Sequence, residues 1–231
     1  GTDDVTTPVD SHVVRRSDTS RSGEWRVVDN TGHVILPIGA TEPVVLPPRH
    51  RRRLRLRGPR FANFTVRLGP ITQPDPTANN PRCLKRDLNA DAAKRFTTFR
   101  NTTELILQSP TIEFFRTTME GDPRYVNGSI GVHGGGHFTI AGDPGSDPFI
   151  SPGDPAFYLH HAQIDRVYWI WQMLDFENRQ GVFGTNTIMD FPPSENTTVE
   201  DNVDLSPLRG PVKIKDLMNT VGGNHLCYVY L

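Results

Sequence analysis

Apolar residues are sparse and aperiodic at the start of the chain and become regular only after about sixty positions. Residues 1–60 are polar, rich in Asp, Thr, Ser, Arg and Pro, and carry no sustained helical period, so an irregular N-terminal segment is expected there. From residue 61 the pattern changes. Phe64, Val66 and Leu68 alternate, which predicts a strand within 61–70. Residues 87–98 and 102–119 have helical spacing. In the second, Leu105, Ile106, Ile112, Phe114 and Phe115 supply the apolar positions and Pro110 should break or kink the helix. A Gly-rich segment at 131–140 leads into a Gly/Pro/Asp loop. Residues 155–175 predict the longest helix, with Phe157, Leu159, His161, Ile164, Val167, Tyr168, Trp171 and Leu174 as inward candidates. The tail predicts a short helix near 211–219 and a terminal strand. The expected fold is mainly α, with a few short strands, divided into 1–60 and 61–231 and without internal repeats.

Composition narrows this further. The 231 residues suit one domain, or one domain with a ragged extension. A formal net charge of −1 gives no global pull toward nucleic acid or membrane. No apolar run approaches the ~18 residues needed to span a bilayer. The chain opens on Gly1 without a signal peptide, which reads as a processed form or a fragment. Four Asn-x-Ser/Thr sequons begin at Asn63, Asn101, Asn127 and Asn196, and lean toward a secretory route. The two cysteines, Cys83 and Cys227, could pair in an oxidising compartment, and no CxxC points to zinc.

The chemistry concentrates in VHGGGHF (132–138) and DPAFYLHHAQIDRVYWIWQ (154–172). His133 and His137 are spaced i, i+4, so on a helix both rings share one face. His161 arrives on the second helix, which Asp154 and Pro155 open. Two ligands from one helix and a third from a facing helix is how bundle metal sites are built. Imidazole suits copper, zinc and iron alike. The zinc-protease motif HExxH is absent because no Glu follows His133. Three glycines inside a helix each cost about 1 kcal/mol relative to Ala, so a metal or a close backbone approach should compensate. Asp165, four residues after His161, reads as an outer acceptor orienting a ligand ring or Arg166, or as part of an ordinary helix salt bridge.

The same residues carry a resemblance. Asp154, Pro155, Phe157, His160, His161, Asp165 and Arg166, preceded by His133-x-x-x-His137, closely resemble the second copper motif of tyrosinases and catechol oxidases, the type-3 copper enzymes related to haemocyanins. FANFTVRLGP (61–70), NPRCLKRDLN (80–89) and Tyr228-Val229-Tyr230 resemble further parts of fungal secreted tyrosinases. The resemblance implies a helical copper bundle, with His133, His137 and His161 as copper ligands and His160, Asp165 and Arg166 around them. Phe149 and Ile150 would cover the pocket or belong to the core. It implies oxidation of o-diphenols, and in some members of monophenols, to o-quinones with O2. It also implies secretion from a fungus.

Two departures bear on this. Gly134 stands where many tyrosinases have Asn, and positions 124 and 125, near a usual Glu, are Arg and Tyr; both favour diphenol over monophenol chemistry. A complete family member holds two coppers, and the first motif is not found. The other histidines are His12, His33, His50, His160 and His225, and His50 lies in LPPRHRR without the expected Trp. At most one copper is therefore expected from this chain. Arg49–Arg60 holds seven Arg in twelve residues. The run reads foremost as a shifted frame, over about residues 49–57, of a Gly-rich stretch found in similar fungal proteins, then as a solvated linker, then as a nucleic-acid patch. A Cys partner for Cys83 would be lost with that stretch, so Cys83–Cys227 pairing is not expected. Three functions stay open: part of a type-3 copper oxidase, a non-catalytic remnant binding one copper or none, and a zinc or copper protein of unrelated role. The helix at 155–175 would also expose an apolar face able to recruit a partner.

Overall fold

The computed structural model describes residues 64–222 and 225–231, together with the backbone of three short strands before them. Those strands are β1 (Val13–Arg16), β2 (Trp25–Val28) and β3 (Leu54–Arg55). β1 and β2 pair antiparallel with Val13 opposite Val28, so the stretch expected to be irregular contains a hairpin-like pair. β4 (Thr65–Val66), β5 (Arg82–Cys83) and β6 (Lys85–Arg86) follow. β3 pairs with β6 and β4 with β5, both antiparallel. The alternation predicted across 61–70 thus yields two strand residues. Leu68, on that pattern, is exposed.

Five helices form the body: α1 (Ala90–Phe96), α2 (Phe99–Gln108), α3 (Ile112–Glu120), α4 (Gly131–Ile140) and α5 (Ala156–Met173). Their starts are legible as caps. The side chains of Asn89, Thr98 and Thr111 each accept a backbone N–H of the first turn of α1, α2 and α3. Pro110 separates α2 from α3 as expected. Gly121 ends α3 with a left-handed φ of 61°, the usual glycine stop. At α5, Asp154 accepts the N–H of Ala156, and Pro155 supplies a helical φ without an N–H to satisfy.

One apolar core binds four of these helices. Leu105 of α2, Phe115 of α3, Val132 of α4 and Val167 and Trp171 of α5 are buried together, with Ile106, Ile112, Met119, Ile164 and Tyr168 packed around them. Phe115 stacks on Trp171 at 4.6 Å between centroids, and the Trp171 indole donates to the Ser109 carbonyl. α1 lies against α4 on the other side. The inward face of α5 is therefore Ile164, Val167, Tyr168 and Trp171. Leu159 and Leu174, expected inward, are 76 % and 56 % exposed.

Two bidentate ion pairs fix the α4–α5 loop to the strands. Arg82 donates to both oxygens of Asp143, and Arg86 to both oxygens of the buried Asp154. The second ties the start of α5 to β6, which sets the height at which the following histidines meet α4. β7 (Asn202–Val203) pairs with β8 (Val212–Lys213), followed by a single 3-10 turn at Ile214–Leu217 where a helix was expected. The terminal strand is not formed: residues 226–231 carry no regular structure, and Tyr228, Tyr230 and Leu231 meet Asp165, Arg166 and Trp169 of α5 instead. Among the described residues, no helix is long and apolar enough to cross a membrane.

Candidate metal centre

The glycines of α4 explain how two helices come close enough to share a site. A Cβ on Gly135 would lie 2.4 Å from the Phe96 Cβ, so α1 packs directly on that turn. A Cβ on Gly136 would lie 2.0 Å from the His160 ring. Close approach thus offsets the helical cost of Gly135 and Gly136. Gly134 meets only Ile130, at 3.3 Å, and packing demands less of it.

Across this face, four imidazoles converge. His133 and His137 project from one face of α4, with centroids 5.0 Å apart. His161 of α5 lies 5.0 Å from His133 and 5.3 Å from His137 by the same measure. His160 stacks nearly parallel to His133 at 5.6 Å.

Hydrogen bonds assign the ring nitrogens. His133 Nδ1 lies 2.7 Å from Glu120 Oε2, the last residue of α3. A carboxylate accepts, so Nδ1 carries the proton. His133 Nε2 is left buried and without a partner. His137 Nδ1 faces the Gly145 carbonyl at 3.3 Å, which makes its Nε2 the nitrogen with the open lone pair. That Nε2 lies 3.2 Å from His161 Nε2. Two nitrogens each ~2.0–2.1 Å from one metal ion, at a near-tetrahedral angle, sit about 3.3 Å apart. The 3.2 Å pair, with an orphaned, buried imidazole nitrogen on the neighbouring His133, fits a divalent or cuprous ion.

The third donor has two candidates. Ligand atoms of His133, His137 and His160 lie within 4.8 Å of one another. His160 Nε2, however, donates to the His133 carbonyl at 2.9 Å, and its Nδ1 edge is pressed onto Gly136. His161 has no such bond to the backbone, and its ring is held by Phe157, stacked at 4.0 Å.

Burial disfavours the charged form of His137, His160 and His161, and the neutral imidazole is the form that binds metal. Burial, followed by the charge at His133, pushes His137 down to about 4. Burial and then His137 do the same to His160, also to about 4. His161 is lowered by burial and by His133. Glu120 feels the opposite balance. Burial raises it, but the hydrogen bond and charge of His133 more than offset this, so it is held below the usual carboxylate range.

Glu120, which sequence reasoning missed, is the side chain that orients His133. It lies thirteen residues before its partner, across the α3–α4 turn, and no spacing rule links the two. Asp165 requires a correction. Its Oδ2 accepts from the phenols of Tyr228 (2.8 Å) and Tyr230 (2.5 Å), not from an imidazole, and it anchors the end of the chain. Burial and then these bonds to Asp165 raise both phenols, Tyr230 to about 12. Arg166 donates to the Leu231 carbonyl and is likewise turned away from the histidines. Phe149 stands exposed, and Ile150 lies against Gly69, so neither covers the histidines. Phe157 and Ile140 flank them instead.

The remaining expectations separate cleanly. His12, His33, His50, Asn63 and the side chains of Arg49–Arg60 lie outside the described residues. Asn127 and Asn196 are exposed. Asn101 sits in the first turn of α2, its amide donating to the Arg95 carbonyl. Cys83 and Cys227 are both free thiols and exposed.

Comparison with known proteins agrees with this geometry. Residues 4–174 match the family model described as the common central domain of tyrosinase. The match reaches well into the N-terminal segment that had been set apart from the copper-binding region. The chain is similar to the N-acetyl-6-hydroxytryptophan oxidase ivoB of Emericella nidulans, 33 % identical over 192 residues, covering 76 % of this chain and 51 % of that protein. It is 32 % identical to tyrosinase P of Aspergillus terreus over 182 residues, covering 74 % and 49 %. A solved structure of polyphenol oxidase (mutant G292N) from Thermothelomyces thermophila is 40 % identical with a TM-score of 0.65, covering 74 % of this chain and 49 % of that one. The chain thus spans about half the length of these relatives.

Proposed function

Since the chain belongs to the tyrosinase family, a family of type-3 copper phenol oxidases, we propose that it holds one copper through Nε2 of His133, His137 and His161, and that it serves the oxidation of o-diphenols to o-quinones with O2. The observation that carries this reading is the buried, unpartnered His133 Nε2 beside the 3.2 Å pair of His137 and His161 nitrogens. His161 is preferred over His160 because the His160 ring is already committed to the α4 backbone.

Bound copper supplies the electron-accepting and O2-activating chemistry, two ions being needed in a complete family member. The protein's own part is positional. Glu120 holds the proton on His133 Nδ1 and so presents Nε2 as a donor. The Gly145 carbonyl does the same for His137. Phe157 keeps the His161 ring from rotating and excludes water from that side. Gly134 offers no side-chain acceptor for a phenol proton, which favours diphenols as substrate over monophenols. Secretion belongs to the same proposal and is supported by the sequons at Asn127 and Asn196, both exposed.

The test is copper stoichiometry together with O2 consumption on catechol. One copper per chain and no O2 uptake supports a chain that holds only the second site, and limits it to a non-catalytic copper binder when alone. Two coppers with catechol oxidation would show a further site outside the described residues or in an associated chain. No bound copper would overturn the reading. Tyr158 and Leu159, 62 % and 76 % exposed on α5, supply an apolar strip for such association, which sedimentation of the copper-loaded protein would register.

A further inference from the structure

A cleft of about 650 Å³ opens between α2, α3 and the turn after α3, and shares no residue with the histidine cluster. Its volume falls in the range of small-molecule sites, ~300–1,000 Å³. Three observations describe its chemistry. Ser109 lines it, the residue being only 1 % exposed, and its Oγ is buried without a hydrogen-bond partner. A buried hydroxyl left unpaired is destabilising, and a ligand hydroxyl that reached it would restore the missing bond. Glu113 and Gln108 also line the cleft, and among the described residues neither side chain has a protein partner. Phe114 and Tyr125 also line it, 50 % and 53 % exposed, with Arg124 over one face of the Tyr125 ring.

Charge decides the class of ligand. No Lys or Arg lines the cleft and Glu104 and Glu113 do, so a phosphate or carboxylate ligand would find no cationic partner and would be repelled. Of its two carboxylates, Glu104 is already paired with Arg100 at 2.7 Å, so the pull on a cation is weak. What remains is a set of hydroxyl, amide and carboxylate groups that exchange hydrogen bonds with hydroxyls, beside two half-exposed aromatic rings of the kind on which C–H-rich ring faces stack. We propose that this cleft binds a neutral carbohydrate. Glu113 and Gln108 engage its hydroxyls, Ser109 pairs at the floor, and Phe114 and Tyr125 pack on the rings.

Two sources share this chemistry: a free oligosaccharide, and a glycan on Asn101, which itself lines the cleft. Chitobiose, two β-1,4-linked N-acetylglucosamines, is the probe common to both. The full chain made in a bacterial host, without glycans, is titrated with chitobiose by saturation-transfer NMR. Saturation transfer to the sugar is expected, weakened at least fivefold in Glu113→Gln and in Tyr125→Ala, with circular dichroism unchanged. The same chain from a secretory host distinguishes the sources. A glycan on Asn101 that blocks chitobiose, with binding restored by Thr103→Ala, assigns the cleft to the protein's own glycan. Binding that persists there assigns it to a free sugar. Absence of transfer in the glycan-free chain, or transfer that neither substitution weakens, overturns the proposal.

Discussion

In the proposed copper site, Glu120 acts from outside the ligand set. Its carboxylate fixes the tautomer of His133 through a 2.7 Å bond. Outer partners of this kind are worth ~10–100-fold in metal affinity. Glu120→Gln keeps the shape and removes the charge, so copper affinity should fall about tenfold or more with the fold intact, as a competitive chelator titration would read. An unchanged affinity would mean the bond does not act on the metal. Asp122 makes a second case, this time for stability. It is buried, and Arg116 and Arg124 both pair with its Oδ2, at 2.8 and 2.7 Å. Burial raises its pKa, but the Arg124 side-chain and backbone bonds and the Arg116 charge more than offset that, leaving it below 3.8. A carboxyl depressed by folding contributes stability that is complete above its unfolded value and is lost as pH falls through the folded one. Asp122→Asn should therefore lower the urea midpoint at pH 7 by the equivalent of about 1–3 kcal/mol. It should also flatten the loss of stability below pH 4. A parallel acid limb in both proteins would remove Asp122 from the account.

At the scale of elements, α4 separates what a glycine run is for. Helix propensity alone favours replacing any of its glycines by Ala, by about 1 kcal/mol. Contacts reverse that at Gly135, where the new Cβ would sit 2.4 Å from the Phe96 Cβ and α1 would have to move. Overpacking of that kind costs about 1–3 kcal/mol. Gly135→Ala should thus destabilise clearly, while Gly134→Ala, meeting Ile130 at 3.3 Å, should stay within about 1 kcal/mol of the parent in thermal unfolding. The elements also show which features were readable. The i, i+4 pair His133/His137, the break at Pro110 and the opening of α5 at Asp154-Pro155 are local, and each follows from a spacing or a backbone rule. The inward reading of Leu159 failed on the same rule. It sits two residues, about 200° around the helix, from Phe157, and so on the face opposite Ile164 and Trp171. Asp165 failed for another reason. Its partners are Tyr228 and Tyr230, more than sixty residues away, and only the folded chain brings them together.

Across the whole molecule, the histidine cluster is where α3, α4 and α5 meet, so metal binding and folding stability are one linked equilibrium. An ion that binds only the folded chain stabilises it by about 2.7 kcal/mol at a hundredfold excess over its Kd. Copper should accordingly raise the unfolding temperature, and a chelator should reverse the rise. The two neighbouring histidines of α5 contribute to this equilibrium differently. His160 bridges α5 to the α4 backbone through the His133 carbonyl and fills the space above Gly136, so it supports the metal-free fold. His161 turns its Nε2 to His137 and to no backbone group, and in the proposed function its contribution is to the metal. His160→Ala should lower the unfolding temperature of the metal-free protein yet retain the copper-induced rise. His161→Ala should leave the metal-free protein close to the parent and abolish the rise. The opposite pair of results would exchange the roles of His160 and His161. Loss of the rise in neither variant would move the copper away from α5 altogether.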